Sequence, residues 1–138
     1  MIRKVAAISF GAVIAIALIV VVQMIGHAVY PPPPGIDATN PETLKTLVGK
    51  MPVSALMLVI LSYAVGAFGG GLLAALIARE TPMVYALIVG ALVLLGTLVN
   101  LVAIPHPTWF AIGAITAILA TIFATGRLAR LLITARNE

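Results

Sequence analysis

The sequence lacks cysteine and contains few charged residues. With no cysteine among its 138 residues, it has no disulfides, thiolate nucleophiles or cysteine-ligated metal sites. Only 9% of the residues are Asp, Glu, Lys or Arg, whereas soluble domains carry about 25%. Hydrophobic residues make up 62% of the chain. This composition excludes a large soluble domain and favours a protein that lies within the membrane.

Charge is entirely absent from four long apolar runs, at residues 5–26, 53–78, 83–104 and 108–126. Each run holds about 20 residues, the length of helix that crosses a hydrocarbon core roughly 30 Å thick. We therefore predict an all-α, four-helix transmembrane bundle that forms a single domain over residues 1–138, with an outer loop at residues 27–52.

Enzyme signatures are also missing from the sequence. It has no serine–histidine–acid set, no HExxH motif and no phosphate-binding glycine loop, because Gly69-Gly70-Gly71 falls inside a span. We therefore expect a protein that is not an enzyme and needs no cofactor.

The first apolar run follows Arg3 and Lys4, an arrangement that also occurs in signal peptides. The apolar region of a cleaved signal peptide is shorter, about 7–15 residues. We therefore expect an uncleaved signal anchor.

Basic residues are divided unequally between the two ends of the spans. Lys45 and Lys50 lie in the long loop, and the other six lie at the opposite ends: Arg3, Lys4, Arg79, Arg127, Arg130 and Arg136. Cytoplasmic ends of membrane proteins carry the excess of Lys and Arg. We predict that both termini are cytoplasmic and that the connections at 28–52 and 105–107 face outward.

The long outer loop contains the signature of a short helix. Asn40-Pro41-Glu42 is typical of a helix start, with a cap, a first-turn proline and an acid near the positive end of the dipole. Apolar residues follow at helical spacing: Leu44, Leu47, Val48 and Met51. We predict an amphipathic helix on the outer surface, preceded by a polyproline II segment at residues 30–35.

Prolines also precede three of the spans: Pro52, Pro82 and Pro107. The missing N–H of proline does no harm at a helix start. Thr81 is predicted to cap the third span with its side chain.

Small residues recur on one side of each span, where they let helix backbones approach closely. The candidate packing positions are Gly66, Gly69, Gly70, Gly90 and Gly113, and in the fourth span Gly113 continues into Ala117, Ala120 and Ala124. These faces either close the chain's own bundle or join two copies of it. For the second alternative, the glycine-rich face of the second span is the predicted contact.

Polar residues inside the spans cluster near the outer ends of the first and third spans. The candidate residues are Gln23, His27, Thr97, Asn100 and His106. In the structural interpretation, the amides bond between helices and the histidines lie among head groups. In the functional interpretation, the cluster lines an outward pocket for a small ligand, a lipid head group or a quinone. A metal or haem held by His27 and His106 is a third alternative, but a third ligand is missing.

The partners that the sequence favours are membrane lipids. Arg127 and Arg130 follow the last span directly, where they would meet anionic head groups. A homo-oligomer or a larger membrane complex is the further alternative, and nucleic acid is not an expected partner. The last helix is predicted to continue past residue 126 into the interface.

Two segments carry a resemblance, residues 26–35 (GHAVYPPPPG) and 104–110 (IPHPTWF). They resemble those of a family of small, uncharacterised bacterial inner-membrane proteins with four spans. The resemblance implies a multi-pass protein of the bacterial inner membrane, and it implies no activity, cofactor or catalytic residue.

Two hypotheses about function follow. The first is a small non-enzymatic subunit, either accessory to a membrane assembly or self-associating. The alternative is a transporter or channel for ions or small molecules with an outward polar vestibule. A pore needs polar groups through the full depth of the membrane, and the cluster lies only in the outer part. Small multidrug transporters have similar size but rely on a membrane-embedded glutamate, which this chain lacks.

Overall fold

The computed structural model describes residues 1–37 and 39–136, and in this part of the chain it contains five helices and no strand. The helices are α1 (Ile2–Val29), α2 (Pro41–Lys50), α3 (Val53–Ala78), α4 (Pro82–Ala103) and α5 (Thr108–Arg136). Four of them, all except α2, are long and apolar enough to cross a membrane. The predicted all-α fold with four membrane-spanning helices is confirmed.

Helix α3 lies at the centre of the bundle, where it packs against α1, α4 and α5. Helices α4 and α5 also pack against each other, whereas α1 touches α4 only slightly. In the most apolar part of α1 only 17% of the residues are buried, compared with 39% in α3. Helix α1 is therefore peripheral, and a groove remains between it and α4.

Small residues bring the backbones of α1 and α3 into contact. A Cβ atom added to Gly66 would lie 2.8 Å from the carbonyl oxygen of Ala15, and one added to Gly11 would lie 2.7 Å from that of Gly70. Gly69 faces the side chain of Leu18. The glycine-rich face of α3 is thus covered by α1 within the chain.

The contact between α4 and α5 combines a glycine with a large side chain. Ile122 of α5 is buried and fills the space at Gly90 of α4, where a Cβ atom would collide with it. The other large residues on the buried face of α5 are Phe110 and Ile118, which are completely shielded. These side chains supply the dispersion contacts that hold membrane helices together.

The predicted packing face of α5 needs a correction. Gly113 does pack, since its Cβ atom would lie 3.2 Å from Ile60, but Ala120 and Ala124 are exposed. The buried face is instead Phe110, Ala114, Ile118, Ile122 and Ala129. Gly90 of α4 accepts Ile122, and α5 is rotated so that Phe110, Ile118 and Ile122 face inward while Ala120 and Ala124 are exposed.

The structure contains the predicted helix in the outer loop. The side chain of Asn40 accepts a hydrogen bond from the Glu42 backbone N–H at 3.0 Å, and α2 begins at Pro41. Val48 is buried. The prediction that Thr81 caps α4 with its side chain is wrong, because its backbone is left-handed (φ 40°) and no capping hydrogen bond forms. A capping residue needs extended backbone dihedrals.

The start of α1, the end of α5 and the α3–α4 turn lie at the same end of the bundle, which we call the basic end. Arg3 donates hydrogen bonds to the carbonyls of Ile77 (3.0 Å) and Ala78, and Lys4 pairs with Glu80 at 3.2 Å. Helix α5 continues to Arg136, which lines a crevice with Arg79. The opposite end, which carries the loop at residues 30–52, is called the loop end.

Candidate functional site

Four of the five predicted polar residues surround a cavity of about 170 Å³ at the loop end. Its polar lining consists of Gln23 and His27 from α1, Tyr30 and His106 from the loops, Tyr63 from α3 and Asn100 from α4. Residues of both amide-bearing helices therefore meet at one place, although they are far apart in sequence. We call this space the loop-end cavity.

A second, larger space of about 490 Å³ lies between α1 and α4, below the loop-end cavity. Its lining is mostly apolar and includes Ala15, Ile16, Val89 and Val93, with Thr97 near the polar end. Three residues line both spaces: Gln23, Tyr63 and Asn100. We call the second space the α1–α4 groove. It adjoins the loop-end cavity at these three shared residues.

The two amides bond to α3 and not to each other. Gln23 Nε2 donates to Ser62 Oγ at 3.3 Å, and Asn100 Nδ2 donates to the Tyr63 hydroxyl at 2.9 Å. Ser62 in turn donates to the carbonyl of Val59 at 2.6 Å. Hydrogen bonds between membrane helices are worth about 0.6–2 kcal/mol each, so the central helix fixes both amide-bearing helices in rotation.

Both histidines are held in the same way by backbone carbonyls. Nδ1 of His27 donates to the carbonyl of Gln23 at 2.8 Å, and Nδ1 of His106 donates to that of Ile104 at 2.6 Å. A carbonyl oxygen only accepts, so Nδ1 carries the proton in both rings. In the neutral imidazole Nε2 then has a free lone pair. The ring of His106 also stacks on Phe110, with centroids 4.5 Å apart.

Thr97, the fifth predicted residue, lies on the groove and has its hydroxyl occupied within its own helix. It is buried, and its Oγ1 donates to the carbonyl of Val93 at 2.9 Å. Thr97 lines the α1–α4 groove but not the loop-end cavity. It therefore contributes shape to the site and no free polar group.

Sequence reasoning missed the contribution of α3. Neither Ser62 nor Tyr63 is among the candidate site residues of the sequence analysis. The available signal was the pair of adjacent hydroxyl residues in the middle of an apolar run, since buried amides in hydrocarbon need partners. Adjacent residues on a helix point in different directions, so one serves α1 and the other α4.

The site has few of the groups that a metal centre or a pore requires. Among residues 1–37 and 39–136, no three His, Cys, Asp or Glu side chains come together. Polar side chains line the two spaces only at positions 23, 27, 30, 63, 97, 100 and 106 within that part of the chain. The arrangement is suited to holding a molecule by hydrogen bonds at the loop end and by apolar contact farther in.

The chain matches no protein-family model, no curated protein and no solved structure. The resemblance of residues 26–35 and 104–110 to small bacterial inner-membrane proteins therefore stays a prediction.

Proposed function

We propose that this multi-pass membrane protein acts without catalysis, as an accessory or self-associating subunit of a membrane assembly. The observation that supports this proposal is a small-residue face left exposed on α5. The face consists of Thr116, Ala120 and Ala124, spaced four residues apart and all exposed. We call it the α5 small face.

The α5 small face differs from the other exposed surfaces of the bundle. Most exposed positions on α1 and α4 carry large side chains such as Val13, Ile16, Leu95 and Val99, as expected for surfaces that contact lipid, and the exposed small residues there do not recur at four-residue spacing. Small residues at four-residue spacing let the backbone of a second helix approach closely and gain van der Waals contact. A helix of a second copy, or of another membrane protein, fits this face.

The basic end supports a further part of the proposal, contact with anionic lipids. Arg127 and Arg130 are exposed on α5 just beyond the α5 small face. Arg79 and Arg136 line one crevice together with Leu132. Basic residues near an anionic membrane surface contribute about 1 kcal/mol each. We assign this end to the cytoplasmic side of a bacterial inner membrane, as the positive-inside rule and the sequence resemblance favour.

Single-cysteine cross-linking tests the subunit proposal, because the chain has no cysteine of its own. Ala120→Cys should form disulfide-linked dimers in native membranes under mild oxidation if two copies meet. If the partner is another protein, a photoreactive maleimide at the same cysteine should capture it at a reproducible mass.

The matched control is Ala91→Cys on α4. Ala91 is also an exposed alanine, and it lies as many residues from the loop end of its helix as Ala120 does. Equal cross-linking at both positions, or none at Ala120 with either reagent, would contradict the proposal.

The second candidate function, permeation through an outward vestibule, has weaker support. The loop-end cavity is a polar opening, but the α1–α4 groove beneath it is lined by apolar residues such as Ala12, Ile16 and Val89. An ion in such a lining would lose its hydration without replacement ligands. The polar residues therefore favour binding of a molecule over its passage.

A further inference from the structure

We infer that the loop-end cavity and the α1–α4 groove form one binding site for an uncharged amphiphile whose head carries hydroxyl groups. The head would occupy the cavity and the alkyl tail would occupy the groove. The site is distinct from the α5 small face, so it stands or falls independently of the subunit proposal.

The two spaces meet at polar side chains. Gln23, Tyr63 and Asn100 line both of them, so a ligand can extend from one to the other past these three residues. The slight contact between α1 and α4 leaves the groove open along its length. A molecule with one polar and one apolar end fits this succession of surfaces.

The histidines present hydrogen-bond acceptors to the cavity. Each ring gives its Nδ1 proton to a backbone carbonyl, Gln23 O for His27 and Ile104 O for His106. The lone pair of Nε2 therefore remains in both neutral rings. Both residues line the loop-end cavity.

The amides add two more acceptors. Gln23 and Asn100 use their NH₂ groups toward Ser62 and Tyr63, and their side-chain oxygens have no hydrogen-bond partner among the described residues. The Tyr63 hydroxyl accepts from Asn100 and retains its own proton for donation. The site thus has acceptors at both histidines and both amides, and donors at the second N–H of each amide and at the Tyr63 hydroxyl. A hydroxyl group, which both donates and accepts, complements this set.

Charge complementarity restricts the head further. No Asp, Glu, Lys or Arg lines the loop-end cavity or the α1–α4 groove in the part of the chain that the structure describes. A charged head would be desolvated there without a counter-charge, which is strongly unfavourable. Hydroxyl groups supply donors without charge, so an alcohol or polyol head satisfies the site.

The groove accepts the tail. Its volume of about 490 Å³ lies within the range of small-molecule sites, roughly 300–1,000 Å³. Most of its lining is aliphatic, from Ala12 and Ile16 on α1 to Val89 and Leu92 on α4. An alkyl chain in this groove gains contact without losing any hydrogen bond.

The experiment uses the full chain in phosphatidylcholine nanodiscs, labelled with ¹⁵N-histidine. The protein has only two histidines, so each Nε2 resonance is assignable with one variant. Dioleoylglycerol supplies the hydroxyl head from the membrane, and submicellar octyl glucoside supplies it from solution. Methyl oleate is the matched probe without a hydroxyl group.

We expect a saturable shift of both Nε2 resonances with a hydroxylated probe and none with methyl oleate. Saturation by dioleoylglycerol alone identifies a lipid as the source, and saturation by octyl glucoside alone identifies a solute from outside. Saturation by both supports recognition of the hydroxyl head itself. No saturable shift with either, or equal shifts with methyl oleate, would overturn the inference.

Variants connect the binding to the named residues. Asn100→Leu should weaken binding at least tenfold, and His106→Phe, which keeps a ring against Phe110, serves if Asn100→Leu does not fold. Ser9→Ala, at an exposed position of α1 away from both spaces, is the matched control and should bind normally. Ala120→Leu should also leave the affinity unchanged, which separates this site from the α5 small face. Unchanged affinity in both site variants would contradict the assignment.

Discussion

Two faces of small residues, one on α3 and one on α5, have opposite surroundings in this bundle. Gly66 and Gly70 on α3 are buried beneath α1, close enough that a Cβ atom on either would collide with its backbone. Ala120 and Ala124 on α5 are exposed. Both faces have the four-residue spacing that brings membrane helices together, but only the first has its partner within the chain.

The difference shows that small residues need a complementary surface. Helix α1 meets α3 with small residues of its own, Gly11 and Ala15, so the two backbones approach from both sides. On α5 one bulky side chain, Ile122, fills the space at Gly90 of α4, while Ala120 and Ala124 lie on the exposed side. A small-residue face therefore indicates that a helix can pack there. Which helix packs against it depends on the size and position of the side chains on the neighbouring helices.

The largest expected effect is that of Gly70→Leu. The new Cβ atom would collide with the carbonyl of Gly11 and lie 2.6 Å from the Cβ of Ala15, so α1 must move away from α3. We expect destabilisation of about 3 kcal/mol or more, at the upper end of overpacking effects. Unfolding in mixed micelles, followed by circular dichroism, measures it.

Ala124→Leu is the control for that variant, since it also adds bulk to a small-residue face. If Gly70→Leu unfolded no more readily than Ala124→Leu, the two faces would not differ as the structure indicates.

A smaller effect is expected from the bond that joins α4 to α3. Tyr63→Phe removes the hydroxyl that accepts from Asn100 at 2.9 Å and should cost about 0.6–2 kcal/mol. A double-mutant cycle with Asn100→Leu should give a coupling energy of the same size. Thr116→Val, at an exposed position of α5, should show no coupling with Asn100→Leu. Additive effects of Tyr63→Phe and Asn100→Leu would mean that this hydrogen bond does not hold α4.

Ala124→Leu by itself should change the stability of the monomer by less than about 0.5 kcal/mol, because the position is exposed. Its effect should appear in association: disulfide dimers or partner adducts at Ala120→Cys should decrease several-fold. Persistent cross-linking in the double variant would place the contact on another face.

The smallest effect concerns the loop, far from both faces. The Thr39 hydroxyl and the Thr39 backbone N–H both donate to the same oxygen of Asp37, at 2.5 and 2.9 Å. These bonds, the hydroxyl bond more than the backbone bond, lower the pKa of the Asp37 carboxyl from its ordinary value of 3.8. Thr39→Val removes the hydroxyl bond, so the pKa of Asp37 should rise toward 3.8. A ¹³C NMR titration of the carboxyl measures it. An unchanged pKa would show that the hydroxyl bond does not form in solution.

Much of the fold was predictable from local chemistry. Apolar runs without charge located the four long helices, and Asn40-Pro41 located the start of α2, because caps and spans depend on neighbouring residues alone. The rotation of α5 about its axis was not predictable, since it depends on which side chains fit between α4 and α5, such as Ile122 at Gly90 and Met83 at Gly126. Thr81 failed as a cap because the turn before α4 takes a left-handed backbone.

The candidate site was likewise predictable in part, where local sequence was enough, and not where it depends on helix packing. The similar depth of Gln23, His27, Asn100 and His106 led to the prediction of a common cluster, and the structure places all four around the loop-end cavity. The partners of the amides, Ser62 and Tyr63, depend on the position of α3 between α1 and α4. That position follows from helix packing across the whole bundle, which no local pattern contains.

The contact of Arg3 and Lys4 with the end of α3 has a consequence for the order of assembly. Its partners, Ile77, Ala78 and Glu80, all precede the last two long helices in the chain. Because the N-terminal part of a protein is synthesised first, α1 and α3 can join at both their glycine contact and this polar one while the rest is still being made. Helices α4 and α5 would then dock on a pair of helices, α1 and α3, that is already formed.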